Sequence, residues 1–166
     1  MYEVIDNFLP LEIFEEIKSH FFCSSPEDIH EKIKFGFQDK IVSDKDTDYE
    51  GFNWMHVHSF LTDDPLAVTK KSQGYKWIKP IIDHIESKFP NLNEKTLWDC
   101  RANILDPTEQ HIQHLFHRDR NQDHIVVLFY MTTTNGFTIL KDLDKVDCVE
   151  NRILIFSGGI EHCSVT

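Results

Sequence analysis

A chain of 166 residues with 40% hydrophobic side chains, among them 13 Phe, fits one globular domain with a single substantial core. Acidic residues outnumber basic ones by 28 to 17, and the net charge of -11 argues against binding of a nucleic-acid backbone. The four cysteines form no CxxC pair, so we expect neither a zinc ribbon nor a disulfide framework. The sequence shows no export signal and no run of ~20 apolar residues, so we expect a cytoplasmic protein without a membrane span.

The N-terminal half is predicted to contain two amphipathic helices. A short strand over residues 2–8 leads into the first helix, over residues 11–22, where apolar side chains recur at helical spacing. The second helix is predicted over residues 75–89, with Pro80 tolerable only near its first turn and Pro90 as its end. Both helices are therefore expected to pack one face on a core.

The region between the two helices, residues 35–60, is predicted to be irregular. Its acidic segment, residues 44–50, reads as a solvated loop, and this charge suggests a basic peptide as a partner. Residues 52–58 alternate in a way that is typical of a strand and would place His56 and His58 on one face. A solvated helix face is the interpretation given to the lysines of the following region, Lys70, Lys71, Lys76 and Lys79.

The second half is predicted to be mainly β, because short runs rich in β-branched and aromatic residues alternate with turn residues. A tight hairpin turn is expected at Asn135 and Gly136, between two of these runs. The predicted strands cover residues 97–105, 124–131, 137–141, 146–149 and 153–156.

Three residues in this half have the chemistry of an iron site. In a strand, His117 and Asp119 point the same way because they are two positions apart. A third ligand must come from a strand brought alongside by folding, and His162 follows after the intervening strands. Two imidazoles and one carboxylate leave three positions of an octahedral ion open, whereas a structural zinc site is closed by four ligands.

The order of motifs around these residues resembles the 2-oxoglutarate/Fe(II) dioxygenase superfamily, and within it the small prolyl 4-hydroxylase-like members. In that family a strand follows His-x-Asp, then a Gly-containing turn with a nearby Thr, and an Asn-Arg-apolar-Phe strand leads to the distal His. The resemblance covers roughly residues 101–166. The matching stretches in this chain are residues 117–119, 125–130, 135–138 and 151–156, followed by His162.

This resemblance implies a fold and a chemistry. The expected fold is mainly β with supporting helices, a double-stranded β-helix (a cupin-like jelly roll) as a single domain over residues 1–166, with helical support mainly in 1–95 and the jelly-roll core mainly in 96–166. The expected activity is hydroxylation of a peptide or small molecule with O2, Fe(II) and 2-oxoglutarate, with ascorbate as a further cofactor. Fe(II) would be held by His117, Asp119 and His162.

The cosubstrate pocket departs from the family pattern. By resemblance, Tyr130 and Thr138 would line it, together with Asn103. The family's cation for the far carboxylate of 2-oxoglutarate stands on a strand after the distal His, and only four residues follow His162 here. We therefore expect the natural protein to continue beyond them. Within the sequence, Arg101 is the first substitute for this cation and Lys141 the second.

Two alternatives of other classes stay open. A jelly-roll binding or structural protein would carry the triad as a vestige, without catalysis. A cupin-like metal protein would use the His-x-His pair, His56 and His58, as its ligands. The remaining histidines before the motif, His111 and His114, are interpreted as surface residues.

Overall fold

A computed structural model describes residues 2–22, 33–39, 54–62, 70–92 and 97–166. In these ranges the chain is mainly β, with antiparallel sheets, as the sequence predicts. A single 3-10 turn, Pro90–Leu92, is also present among them. The described helices and strands are β1 Tyr2–Ile5, α1 Leu11–Phe21, β2 Gly36–Gln38, β3 Met55–Thr62, β4 Lys70–Lys71, α2 Tyr75–Lys88, β5 Asp99–Ile104, β6 Ile125–Tyr130, β7 Phe137–Leu140, β8 Asp144–Asp147, β9 Arg152–Ser157 and β10 His162–Val165.

The chain divides into two compact units. The first consists of Met1–Phe8, Gln38–Met55 and Leu105–Thr166, and the second of Leu9–Phe37 and His56–Ile104. The first unit carries the predicted iron ligands and the second carries both helices.

In the first unit, one antiparallel sheet has the strand order β1-β9-β6. Its central strand, β9, is the most buried of the three, and Ile153 and Leu154 are both fully buried. Leu154 lies opposite Val4 on one side and opposite Leu128 on the other. An uninterrupted apolar run suits a strand with partners at both edges and packing on its faces.

A second antiparallel sheet of the first unit has the strand order β10-β7-β8. The segment over residues 112–117 extends it, because Gln113 pairs with Val165 and His117 with His162. Side chains from both sheets form one hydrophobic core, which includes Val126, Leu140, Val146, Leu154 and Phe156. The two sheets therefore enclose a common interior.

The second unit combines the two helices with a sheet of β2, β3, β4 and β5, in which β3 pairs with β4 and β5. The first helix buries Phe14 and Ile17, and the second buries Ile78 and Ile81, as helical spacing predicts. The ring of His20 stacks on that of Trp77, with centroids 4.6 Å apart. Both predicted helices are confirmed to within one residue at their ends.

The predicted hairpin at Asn135 and Gly136 is wrong. The strands on either side, β6 and β7, belong to different sheets, so this connection crosses from one sheet to the other. Glycine is needed here for space, since a Cβ on Gly136 would lie 2.8 Å from the carbonyl oxygen of Val165. The actual hairpin joins β7 to β8 through residues 141–143, where Asp142 has a φ of 60°.

Three smaller predictions for the helical half also need correction. Pro80 lies inside α2 rather than in its first turn. Lys70 and Lys71 are exposed, but they form β4 and pair with the end of β3 instead of lying on a helix. One short strand, β2, lies in the region predicted as irregular, whereas β3 overlaps the strand predicted over residues 52–58 and continues to Thr62. Cross-strand pairing decides such short strands, and it is invisible in local sequence.

Some predictions fall outside the described residues. The acidic segment 44–50 and Cys23 are among them. Within the described ranges, the three remaining cysteines are free thiols, and no helix has both the length and the apolar character needed to cross a membrane.

Candidate metal centre

The two histidines of the predicted triad lie directly opposite each other on neighbouring chain segments. The backbone N–H of His117 donates to the carbonyl of His162 and the N–H of His162 donates back, both at 3.0 Å. Residues paired in this way present their side chains on the same face. Their ring centroids are accordingly 4.6 Å apart.

Asp119 completes the triad from a bend just beyond the paired segment. Its two carboxylate oxygens lie 3.8 Å from the Nε2 atoms of His117 and His162, one oxygen near each ring. All the candidate ligand atoms lie within 4.8 Å of one another. The sequence placed His117 and Asp119 on one strand, but the strand pairing ends at His117, and the bend is what turns the carboxylate toward the rings.

Backbone carbonyls select which ring nitrogen faces the carboxylate. His117 Nδ1 lies 3.2 Å from the carbonyl oxygen of Leu115, and His162 Nδ1 lies 3.5 Å from that of Ile160. A carbonyl only accepts, so these contacts favour the tautomer in which Nδ1 carries the proton, more strongly for His117 at 3.2 Å than for His162 at 3.5 Å. Each Nε2 then has a free lone pair, and a metal-binding histidine is oriented in the same manner.

His162 is the most buried member of the triad. Its side chain is 8% exposed, against 24% for His117 and 26% for Asp119. The ring meets Phe156 edge to face at 4.9 Å, so that one wall of the site is apolar. Burial lowers the pKa of His162, an effect that the nearby Asp119 carboxylate partly opposes. The neutral form, which alone binds a metal, is thus favoured.

Acidification is expected to destabilise the metal-free chain before its carboxylates titrate. Burial lowers the pKa of His114 and of His162 below the ordinary 6.5, so below that pH the unfolded chain binds more protons than the folded one. Stability should then rise with pH across this window. Urea unfolding with a chelator, at about pH 7.5 and about pH 5.5, should show a lower midpoint at the acidic pH.

Two variants identify the groups responsible for this pH dependence. His162→Leu should weaken it, whereas His111→Leu, at an exposed histidine, should leave it unchanged. Equal midpoints of the wild-type chain at both pH values would contradict the prediction.

The donor set fits a divalent transition metal. Two atoms bound to one ion cannot be more than about 4.2 Å apart if each bond is ~2.1 Å. Each histidine Nε2 lies 3.8 Å from one of the two carboxylate oxygens, within this limit, and the full set of ligand atoms, within 4.8 Å, would contract slightly around an ion. Two imidazoles with one carboxylate on one side of an ion form the facial set of non-haem Fe(II) sites. Within the described residues, this is the cluster of His, Cys, Asp or Glu side chains able to hold an ion.

A further histidine, His124, is packed against the turn that precedes β10. Its Nδ1 lies 2.7 Å from the carbonyl oxygen of Gln122, and its carbonyl accepts the N–H of Gly158 at 2.9 Å. A Cβ on Gly158 would lie 2.2 Å from the His124 ring. The ring therefore occupies the space that a side chain at Gly158 would need. A positive charge on this ring would lower the pKa of His162 further.

Gly158→Ala is expected to displace the His124 ring and to destabilise the chain by about 1–3 kcal/mol, as overpacking of a filled site does. Gly159→Ala is the matched control, because its Cβ would meet only Ser157 Oγ at an ordinary 3.6 Å. Chemical denaturation of both variants measures the difference. Equal stability of the two would show that the space beside Gly158 is not filled as described.

The other predicted pocket residues are divided between the two units. Tyr130 donates to the Thr138 hydroxyl at 2.8 Å, and burial raises the pKa of the tyrosine. Lys141 is exposed and pairs with Glu161, so it is no buried cation. Arg101 and Asn103 are exposed on β5 of the second unit, and their assignment stays a prediction.

His114 is a buried residue near the triad, and its burial was not predicted from the sequence. It was interpreted as a surface residue, but it is only 2% exposed, whereas His111 is exposed as predicted. The signal in the sequence is its position three residues before His117. Without the strand pairing, this spacing does not predict that His114 faces the same side as His117, because side chains three residues apart on a regular strand point to opposite faces.

The alternative histidine pair on β3 has other partners. His58 Nδ1 lies 2.7 Å from the carbonyl of Lys34, and its Nε2 lies 2.9 Å from Ser72 Oγ. Both ring nitrogens are engaged within the second unit, so His58 is poorly disposed to bind an ion. This weakens the cupin-like alternative.

Comparison with known proteins gives no assignment for this chain. No model of a known protein family matches it, and no curated protein is similar enough to count as a relative. The geometry of the His117, Asp119 and His162 cluster is consequently the basis for any functional inference.

Proposed function

We propose that this protein is an Fe(II)- and 2-oxoglutarate-dependent dioxygenase of the prolyl 4-hydroxylase type, which hydroxylates a peptide or small molecule. The observation that carries the proposal is the convergence of His117, Asp119 and His162, with all ligand atoms within 4.8 Å of one another. These residues are far apart in sequence, and backbone pairing brings them together.

The strand arrangement of the first unit supports a double-stranded β-helix as its fold. Two antiparallel sheets share one core, and from β6 to β10 the chain changes sheet at three of four connections, the exception being the hairpin between β7 and β8. The segment that carries His117 lies beside the strand that carries His162. A jelly roll alternates between its sheets in this way.

The chain itself would contribute geometry and charge to the reaction. Bound Fe(II) with 2-oxoglutarate would supply the redox chemistry that activates O2. The two Nε2 atoms and the Asp119 carboxylate would hold the ion on one side, leaving the opposite side open. The carbonyls of Leu115 and Ile160 keep the imidazoles in the binding tautomer, and Phe156 excludes water beside His162.

Turnover is the direct test of this function. Purified wild-type chain with Fe(II), 2-oxoglutarate and O2 is expected to form succinate, and the anaerobic mixture should show a weak visible charge-transfer band. Asp119→Ala, which removes the carboxylate, should abolish both signals. If wild-type chain gives neither band nor succinate, the dioxygenase proposal fails. Metal binding without turnover would instead favour the non-catalytic jelly-roll alternative.

A further inference from the structure

His114 is a buried histidine without a hydrogen-bond partner among the described residues. It is 2% exposed, and neither Nδ1 nor Nε2 has a partner. A neutral imidazole has one N–H donor and one acceptor nitrogen, and leaving such a group unsatisfied in a protein interior costs about 1–3 kcal/mol. The ring is therefore placed for a partner that this part of the chain does not supply.

A β-bulge turns His114 and His117 toward the same interior. Gln113 pairs with Val165 and the N–H of His114 donates to Ser164, so His114 lies opposite Ser164. His117 lies opposite His162. The three residue steps from His114 to His117 therefore match only two steps on β10, from Ser164 to His162. The segment over residues 112–117 thus contains one extra residue, which defines a β-bulge. Without the bulge, His114 and His117 would face opposite sides of the sheet.

The pairing aligns His114 with other polar side chains. Ser164, opposite His114, also lies opposite Thr138 on the next strand. Directly opposed residues share a face, so the three form a row across three neighbouring segments. Thr138 accepts the Tyr130 hydroxyl proton at 2.8 Å, which leaves its own O–H free to donate. This polar row presents hydrogen-bond donors to the interior.

The polar row runs beside the row of metal ligands. His162 lies opposite Leu140, two residues from Thr138 on β7, and opposite His117 on its other side. Two residues of a strand span ~7 Å. A ligand held by an ion at the first row would need that length to reach the second.

A five-carbon 2-oxo diacid has this length. Four C–C bonds of ~1.5 Å extend over ~5 Å. A metal–oxygen bond adds ~2 Å. A carboxylate at the far end accepts hydrogen bonds and donates none, so a row of donors suits it. No lysine or arginine among the described residues is fully buried. Arg152, opposite Tyr130, is 18% exposed but is already paired with Asp6, so the donors of the polar row itself are uncharged.

We propose that His114 is a ligand-binding residue, which donates a ring N–H to the far carboxylate of the metal-bound 2-oxo diacid. Thr138 and Ser164 are its neighbours in this task. The inference rests on the proposed function and changes one expectation of it, since an uncharged imidazole takes the place of a buried cation. Lys141 and Arg101 are then not needed for this contact.

The test compares wild-type chain with His114→Leu, using Mn(II) in place of Fe(II) to prevent turnover. We expect His114→Leu to bind Mn(II) with unchanged affinity, because the triad is intact. Its affinity for 2-oxoglutarate in the presence of Mn(II), measured by titration calorimetry, should fall at least about tenfold, as loss of a hydrogen bond to a charged group predicts. The ligand-free variant should be at least as stable as wild type, because an unsatisfied polar group is removed.

A second ligand separates a contact with the carboxylate from a general effect on the pocket. 2-Oxopentanoate has the same chain length with a methyl group in place of the far carboxylate. Wild type should prefer 2-oxoglutarate over 2-oxopentanoate, and His114→Leu should lose most of this preference. His114→Asn, which keeps an N–H donor, should retain part of it.

The outcomes distinguish this inference from the proposed function. If wild type binds Mn(II) and 2-oxoglutarate but His114→Leu binds the diacid equally well, the role of His114 is wrong and the proposed function stands. A His114→Leu chain that is less stable than wild type without ligand would mean that the ring already has a partner, which also overturns the inference. If wild type binds no 2-oxoglutarate, both proposals fall together.

Discussion

Replacing His117 with alanine is expected to abolish tight metal binding. The variant loses one of three ligands, so its affinity for Fe(II) or Mn(II) should fall by more than the roughly 10–100-fold typical of losing an outer partner of a metal ligand. Titration calorimetry, or the signal of free Mn(II) in electron paramagnetic resonance, measures the change. His117 is 24% exposed in its side chain, so the fold should tolerate the truncation.

Two control variants make this result specific. His111→Ala changes an exposed histidine that precedes the same paired segment, and it should leave metal affinity unchanged. His56→Ala tests the cupin-like alternative and should also have no effect. Loss of metal binding in His56→Ala together with normal binding in His117→Ala would move the site from the first unit to β3.

Replacing Phe156 with alanine is expected to have the largest effect on stability. Phe156 is 2% exposed, lies in the core between the two sheets and contacts the His162 ring. Truncation of a buried Phe costs about 3–5 kcal/mol, because apolar contacts are lost and a cavity remains. Urea unfolding of metal-free protein should show this loss, and metal affinity should also weaken because His162 loses the ring beside it.

The matched control for Phe156→Ala is Leu143→Ala in the turn between β7 and β8. Leu143 is 54% exposed, so its truncation should change the free energy of unfolding by no more than about 0.5 kcal/mol. Phe156→Leu should fall between the two. A loss of less than about 1 kcal/mol in Phe156→Ala would be inconsistent with a filled core at this position.

The sequence by itself determined the helices and most of the strands. The apolar positions of α1 and α2 follow the helical period, so Phe14, Ile17, Ile78 and Ile81 could be assigned to a buried face. Apolar β-branched runs marked β6 and β9 in the same way. These signals are local, since the period of the backbone alone decides which side chains share a face.

The sequence also named the three side chains that come together, but for a reason that was only partly right. The two-residue spacing was taken to place His117 and Asp119 on one strand, whereas Asp119 lies in a bend beyond it. The motif order predicted the companion, His162, correctly as a residue brought alongside by folding.

Only the tertiary structure decided how the strands pair and which residues face the interior. Asn135 and Gly136 carry a hairpin signal, yet β6 pairs with β9, and β7 pairs with β10 and β8, so the partner of each strand is decided by the tertiary fold rather than by the local turn signal. One extra residue between His114 and His117 places both rings on the same side of the sheet, where His114 is buried. A bulge is a property of two paired segments, so neither segment alone could have revealed it.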